Sequence, residues 1–308
     1  MKIAILGAGG VGGYLAAKLT EAGTPVALIA RGAHLDAIRA RGLKLIEPGG
    51  TTVTRPEVLT DDPREIGTPD AIVVTVKAHQ LADAFAQIAP AVGPDTLVVT
   101  VQNGVDAPDM AAEAFGPARV AICVSRIFSN ITAPGEITRY GAPRSFAIGG
   151  IDGGQNGAAV SALRKTLAAA GVLVPDCDDV RIDLWSKFLL FNAISSTTAA
   201  ARTRVGVVRD TPALADLAQR LIGEACAVGR AEGIALADDA VEKTWGFIGS
   251  MAPESRASTA HDLEHGRALE IDHICGSVAR RGRALGVDVT ASETVAAVLA
   301  PFKLGTPG

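Results

Sequence analysis

Aromatic residues are scarce in this chain: of 308 residues, two are Trp and two are Tyr. With a formal net charge of -4, no basic surface interleaved with aromatic rings is available, and nucleic acid is not an expected partner. Cysteine is thin as well. Cys123, Cys177, Cys226 and Cys275 are scattered without C-x-x-C spacing, which speaks against a zinc ribbon or a disulfide framework and leaves small buried hydrophobes as the expectation. Mean hydropathy is positive, at +0.28, yet no run reaches the roughly 18 uninterrupted apolar residues of a membrane-spanning helix. The richest stretch, residues 188–194, is far too short, so the apolar excess is assigned to buried helices and a subunit interface. No charged-then-apolar leader stands before the first strand, which begins at residue 3, and a cytoplasmic location is expected.

What the chain does have is glycine in a telling place. It opens Met1-Lys-Ile-Ala-Ile-Leu-Gly7-Ala8-Gly9-Gly10-Val11-Gly12-Gly13, a short buried-type strand running into a G-x-G-x-x-G turn. An apolar helix over 11–22 follows, closed by Gly23, and then a second strand at 26–30. Gly-rich turns alone are common, but strand, turn, helix and strand in this order form the first half of a dinucleotide-binding unit. Gly7 permits the tight turn, Gly9 lets the backbone approach a pyrophosphate, and Gly12 lets helix and strand pack closely, with the helix N-terminus facing the phosphates. At the end of the second strand, where an NAD site places Asp or Glu, stands Ala30-Arg31-Gly32. A guanidinium has no acceptor for a ribose hydroxyl and suits a 2′-phosphate, so NADPH is the expected cofactor.

The alternation continues. Asp70–Lys77 and Thr96–Gly104 contain β-branched runs that read as buried parallel strands, with a helical stretch at 80–91 between them. Lys77 and Asn103 fall beyond the strand ends, where open α/β sheets bind ligands. On residues alone, a site role is no better supported than a solvated strand terminus for Lys77 or a turn pair for Asn103-Gly104. Further strands are expected at 120–124 and 146–148, and a small hairpin at 43–46 and 51–55. Beyond residue 174 the pattern becomes helical. At 308 residues two domains are the default, here an α/β Rossmann-type dinucleotide-binding domain over 1–177 and an all-α domain over 178–308. Residues 185–201 are apolar or small on every side; Leu214 to Val228 and Ile271 to Leu285 repeat at helical spacing before Gly233 and Gly286.

Two charges in that half attract attention. Lys187 lies in Leu184-Trp-Ser-Lys-Phe-Leu-Leu-Phe191, the most apolar neighbourhood of the chain, where desolvation lowers an ammonium pKa toward the range useful for proton transfer. A snorkelling stem is the alternative. Glu270, in Gly266-Arg-Ala-Leu-Glu270-Ile-Asp272, flanks an apolar stripe as an ordinary surface carboxylate would.

Taken in order, the N-terminal glycines, Arg31-Gly-Ala-His34, Thr75-Val-Lys77-Ala, Gln102-Asn103-Gly104, Pro134-Gly135, Trp185-Ser-Lys187-Phe, Ser258 and Arg267-Ala-Leu-Glu270-Ile-Asp272 resemble the 2-dehydropantoate 2-reductases, or ketopantoate reductases, over nearly the whole chain. The resemblance implies NADPH-dependent reduction of ketopantoate to pantoate, toward pantothenate, by an enzyme whose other partner is a small 2-oxo acid; a homodimer is suggested only by the helical second half. It implies Lys187 and Glu270 as catalytic residues. Gly7, Ala8, Gly9, Gly10, Val11, Gly12, Arg31, Lys77 and Asn103 would bind cofactor, and Asn103, Lys187, Ser195, Ser258 and Glu270 would bind substrate. Family members commonly carry Asn four and eight positions after the lysine; here Phe191 and Ser195 stand there, and Asn192 lies one place off, about 100° round the helix. That keeps reduction of another 2-oxo acid, or cofactor binding without turnover, as alternatives. His261-Asp-Leu-Glu264-His265 fits the zinc-binding pattern H-x-x-E-H, but it falls between Ser258 and Glu270 and is expected to be a solvated helix face without metal.

Overall fold

The first strand is buried on both faces, and that decides the layering around it. In the computed structural model, which describes residues 1–155 and 157–306 without the side chain of Pro143, β1 (Ile3–Leu6) alternates its side chains between two cores. Ile3 and Ile5 enter one, Ala4 and Leu6 the other. Such a strand needs helices on both sides, which is why it reads as a continuous apolar run rather than as an alternating one.

Unit 1 comprises residues 1–102 and 107–181. In chain order it holds β1, α1 (Gly10–Glu21), β2 (Val26–Ile29), α2 (Gly32–Arg41), β3 (Leu43–Glu47), β4 (Gly50–Thr54), β5 (Val58–Thr60) and β6 (Ala71–Val74). There follow α3 (Leu81–Ile88), β7 (Leu97–Thr100), α4 (Ala107–Phe115), β8 (Val120–Ala133), β9 (Glu136–Gly150) and α5 (Ala158–Ala169). The sheet has nine strands in the order β4-β3-β9-β8-β7-β6-β1-β2-β5. Six of them, β5-β2-β1-β6-β7-β8, pair in parallel and reproduce the 3-2-1-4-5-6 order of a doubly wound dinucleotide-binding sheet. Tyr14, Leu15 and Leu19 of α1 cover one face; Phe85 of α3 and Phe115 of α4, edge to face at 5.4 Å, cover the other. Each fully buried side chain of this size contributes about 1.5–3 kcal/mol.

The expected hairpin at β3 and β4 forms, and β3 also joins the main sheet through β9. The strands expected at 120–124 and 146–148 are much longer, because β8 and β9 extend past the core as an antiparallel ribbon closed by Pro134–Gly135. Only the first residues of β8 are buried. The extension carries exposed Phe128, Ile131 and Tyr140 among polar residues, and with two register irregularities it shows no clean apolar alternation.

Unit 2 comprises residues 103–106 and 182–308, so the contact division lies between Arg181 and Ile182, within the first turn of α6 (Val180–Ala200). After α6 come α7 (Val205–Asp210), α8 (Pro212–Ala231), α9 (Ala240–Ser250), α10 (Ser258–Glu264), α11 (Cys275–Leu285) and α12 (Thr290–Leu299). Ala199, Leu221, Leu269, Ile271, Val295 and Leu299 form one of its cores. The repeat from Ile271 to Leu285 is not one helix: a 3-10 turn over Ile271–His273 is broken at Ile274 (φ -113°, ψ -112°) before α11. Ile271, Ile274 and Val278 are all buried, so apolar spacing cannot register the change of backbone. Cys123, Cys226 and Cys275 are buried free thiols. Cys177 departs from the expectation, being only half-buried and accepting from Gln155 Nε2 at 2.9 Å. Among the described residues no helix is long and apolar enough to cross a membrane.

Candidate functional site

The glycine turn builds its cleft by leaving out side chains. Gly7 has φ +104°, a conformation L side chains rarely adopt. A Cβ at Gly12 would lie 2.0 Å from Gly7 O and 2.4 Å from Thr75 Oγ1, and one at Gly10 would lie 2.0 Å from Ser129 O, so helix, strand and ribbon close up against bare backbone. Gly9 differs. Nothing lies within 4 Å of its Cβ position, and it lines an open cleft of about 310 Å³ together with Gly7, Ala8, Arg31, His34, Gln80 and Gln87. This space before the N-terminus of α1 fits a pyrophosphate.

Past the end of β2 the cleft is lined by a guanidinium. Arg31 is exposed, and its Nη2 donates to Gln87 Oε1 of α3 at 2.5 Å. The carboxylate in the cleft comes from Asp83 of α3, not from β2. Lys77 lies three residues past β6, exposed, with its N–H donated to Gln80 Oε1 at 3.3 Å. His34, quoted above only as part of a motif, ties α2 to the ribbon: its Nδ1 accepts the Gly135 N–H at 3.0 Å. Burial pushes this imidazole below its ordinary pKa, and a bond to Ala8 opposes that only in part. A ring nitrogen that accepts an N–H carries no proton itself, so the Gly135 bond is one made by the neutral imidazole. Gln80, Gln87 and Asp83 were not singled out from sequence; no local pattern marks them.

In unit 2, Lys187 Nζ donates to Asn103 Oδ1 at 2.9 Å, across 84 positions of sequence, and both residues are half-buried. On other faces of the same helix, Trp185 and Phe188 are buried and pack edge to face at 5.7 Å. The Lys187 face of α6 continues through Leu190, Phe191 and Ile194, all half-buried. Asn192 points elsewhere: fully buried, it donates to Leu221 O at 3.2 Å. Ser195 is also fully buried, and its hydroxyl has no hydrogen-bond partner. Glu270, half-buried, starts the Ile271–His273 turn, its carbonyl accepting from His273 N at 2.9 Å. Ser258 opens α10 and is exposed.

One carboxylate of this unit that the sequence did not announce gathers four donors. Asp106, 7% exposed, accepts from His273 Nδ1 (3.0 Å), Ser277 Oγ (2.6 Å), Arg280 Nη2 (2.9 Å) and Arg281 Nε (3.0 Å). Burial alone would raise its pKa. The donors and the two guanidinium charges overcome that and hold it well below the usual carboxylate range. The H-x-x-E-H segment has other uses: His265 Nδ1 lies 2.8 Å from His261 O, and Glu264 is ion-paired with Arg256. Among the described residues no group of three or more His, Cys, Asp or Glu could hold a metal ion.

A parallel sheet in dinucleotide-binding order, a glycine-lined cleft ending at an arginine, and a helical unit with a half-buried lysine define a nicotinamide-dependent oxidoreductase. The chain belongs to the ketopantoate reductase family. The family models Ketopantoate reductase PanE/ApbA and Ketopantoate reductase PanE/ApbA C terminal match residues 3–153 and 179–303. A 2-dehydropantoate 2-reductase of Mesorhizobium japonicum is 37% identical over 92% of each chain. Among solved structures, a PanE/ApbA family ketopantoate reductase from Ralstonia eutropha superposes with TM-score 0.89 at 32% identity over 98% of each chain. A 2-dehydropantoate 2-reductase from Geobacter metallireducens does so with TM-score 0.88 at 29% identity, covering 97% of this chain and 99% of its own.

Proposed function

We propose that this protein reduces a 2-oxo acid, ketopantoate, to its 2-hydroxy acid with NADPH. The observation that carries the proposal is the Lys187–Asn103 bond, a half-buried ammonium that donates to a neutral acceptor. NADPH, when bound, supplies the hydride that reduces C2. Gly7 through Gly12 would receive its pyrophosphate and Arg31 its 2′-phosphate, and Lys77 and Asn103 would be further cofactor-binding residues. Lys187 gives a proton from Nζ to the oxygen on C2 and stabilises the negative charge that develops there. Asn103 Oδ1, which accepts but carries no charge, orients the ammonium without neutralising it. Glu270 and Ser258 bind substrate polar groups. Ser195, fully buried and turned away from the Lys187 face, is not assigned to substrate. A cytoplasmic enzyme is part of the same reading, as is a homodimer covering exposed Phe247 and Val298 of unit 2.

A second reading has an observation of its own. Leu190, Phe191 and Ile194 continue the half-buried face of Lys187, and an apolar wall favours a 2-oxo acid with an apolar tail. NADPH oxidation across a panel of 2-oxo acids tests both, provided the panel includes ketopantoate and its 4-deoxy analogue, 3,3-dimethyl-2-oxobutanoate. Discrimination between these two below about a hundredfold in kcat/KM, widened by Phe191→Asn, supports the apolar wall, since a site lacking polar partners cannot reject a missing hydroxyl. A ratio near ~10⁴ establishes dedicated recognition of the hydroxyl and the narrow ketopantoate assignment. No turnover of any 2-oxo acid overturns the proposal.

A further inference from the structure

Asp106 has no chemical role in the proposal above, yet it is tied to two residues that do, to Glu270 through His273 and to Asn103 along the chain. It lies three positions after Asn103, in the short segment 103–106 that belongs to unit 2. All four of its donors come from residues 273–281. On that side, His273 also closes the turn that starts at Glu270, through His273 N to Glu270 O at 2.9 Å, and Arg280 Nη1 donates to Asp272 O of the same turn at 2.6 Å. Because a carboxylate only accepts, His273 presents an Nδ1–H to Asp106.

The segment 103–106 also approaches the turn at backbone distance. Gly104 has φ +105°, and a Cβ there would lie 2.6 Å from His273 O. Arg281 is braced in turn: its Nη1 donates to both oxygens of Glu232 at 2.7 and 2.9 Å, and its Nη2 to Val105 O at 3.4 Å. A carboxylate buried this completely is costly to desolvate, and a packed apolar residue would often serve stability as well. What an apolar residue would not supply is direction: two oxygens and four donors admit one placement of the segment relative to the turn.

We infer that Asp106 is a positioning residue, fixing Asn103, and through it the Lys187 ammonium, in register with Glu270. The inference rests on the reading in which Lys187 protonates the reduced carbonyl. A displacement of about 1 Å in such an arrangement costs about 10²-fold in rate.

The test is a double-mutant cycle in the full chain, using the 2-oxo acid turned over fastest in the panel. Rates are expressed per molecule that binds NADPH, counted by fluorescence titration, so that loss of folded protein does not enter. Asp106→Asn is expected to lower kcat by roughly 30-fold or more. Asn103→Ala should also be slow, and the double variant should be no more than about threefold slower than the slower single, because the two act through one contact. Ser277→Ala, which removes one donor, should give a smaller loss, absorbed in the same way by Asn103→Ala; it serves as the cycle if Asp106→Asn does not fold. Multiplicative losses, or an Asp106→Asn enzyme of wild-type kcat, overturn the inference. Lys187→Ala is measured alongside. If it is slow while the Asp106 and Asn103 losses multiply, the role of Lys187 stands and only the inference falls; if it turns over normally, both fall.

Discussion

Arg31 at the end of β2 is bonded to Gln87 on α3, Nη2 to Oε1 at 2.5 Å, although 56 positions separate them. The partner is neutral. An amide oxygen steers the guanidinium across the cleft while leaving its charge uncancelled, which suits a group awaiting a phosphate; a carboxylate at residue 87 would occupy the same fork and repel the ligand.

NADPH is therefore expected to bind at least tenfold more tightly than NADH, about 1.4 kcal/mol. Arg31→Ala should erase most of that gap. Gln87→Glu should weaken NADPH by about tenfold or more and leave NADH within a few-fold. Fluorescence titration with both cofactors reads all three; equal wild-type affinities would refute the assignment of Arg31.

The glycines of the turn should separate into two kinds. Gly9→Ala meets nothing within 4 Å, at a φ of -70° that alanine accepts. It should keep its thermal midpoint while NADPH affinity drops by about tenfold or more, the methyl standing where the pyrophosphate passes. Gly12→Ala sets its Cβ against Gly7 O, a backbone atom, and should lose about 3 kcal/mol of stability or more. Equal behaviour of the two variants would contradict the geometry of the turn.

Lys187→Ala is expected to lower kcat by about 10² or more, the scale of a lost general acid, with NADPH affinity unchanged within a few-fold. Near-normal turnover would make Lys187 a snorkelling side chain and nothing more.

Asp106 also predicts a pH dependence. Its folded pKa lies below the ordinary carboxylate value, so its stabilising contribution is complete above about pH 4 and declines as pH falls toward the folded pKa. Asp106→Asn should cost about 3 kcal/mol at neutral pH. The gap in thermal midpoint between wild type and variant should then narrow steadily below about pH 4. A gap that is constant or widens on acidification counts against this.

The two residues placed after Lys187 by helical spacing show how far sequence reasoning carries. Four residues turn a helix through about 400°, so Phe191 shares the half-buried face of Lys187; eight turn it through about 800°, some 80° past that face, and Ser195 is carried into the core.

What the sequence by itself determined is whatever a contiguous stretch of backbone demands: Gly7 at positive φ, a bare Cα at Gly12 beside Gly7 O, apolar runs for strands buried on both faces, and an arginine where β2 ends. These are local steric and burial requirements, and they brought the dinucleotide-binding half, its cofactor and the helical half into view. Only the tertiary structure decided the polar partners. Gln87 for Arg31, Gly135 for His34, Asn103 for Lys187 and four donors for Asp106 lie 56 to 175 positions away. A hydrogen bond is made with whichever group packing brings within about 3 Å, and nothing in the local pattern around either partner encodes that encounter.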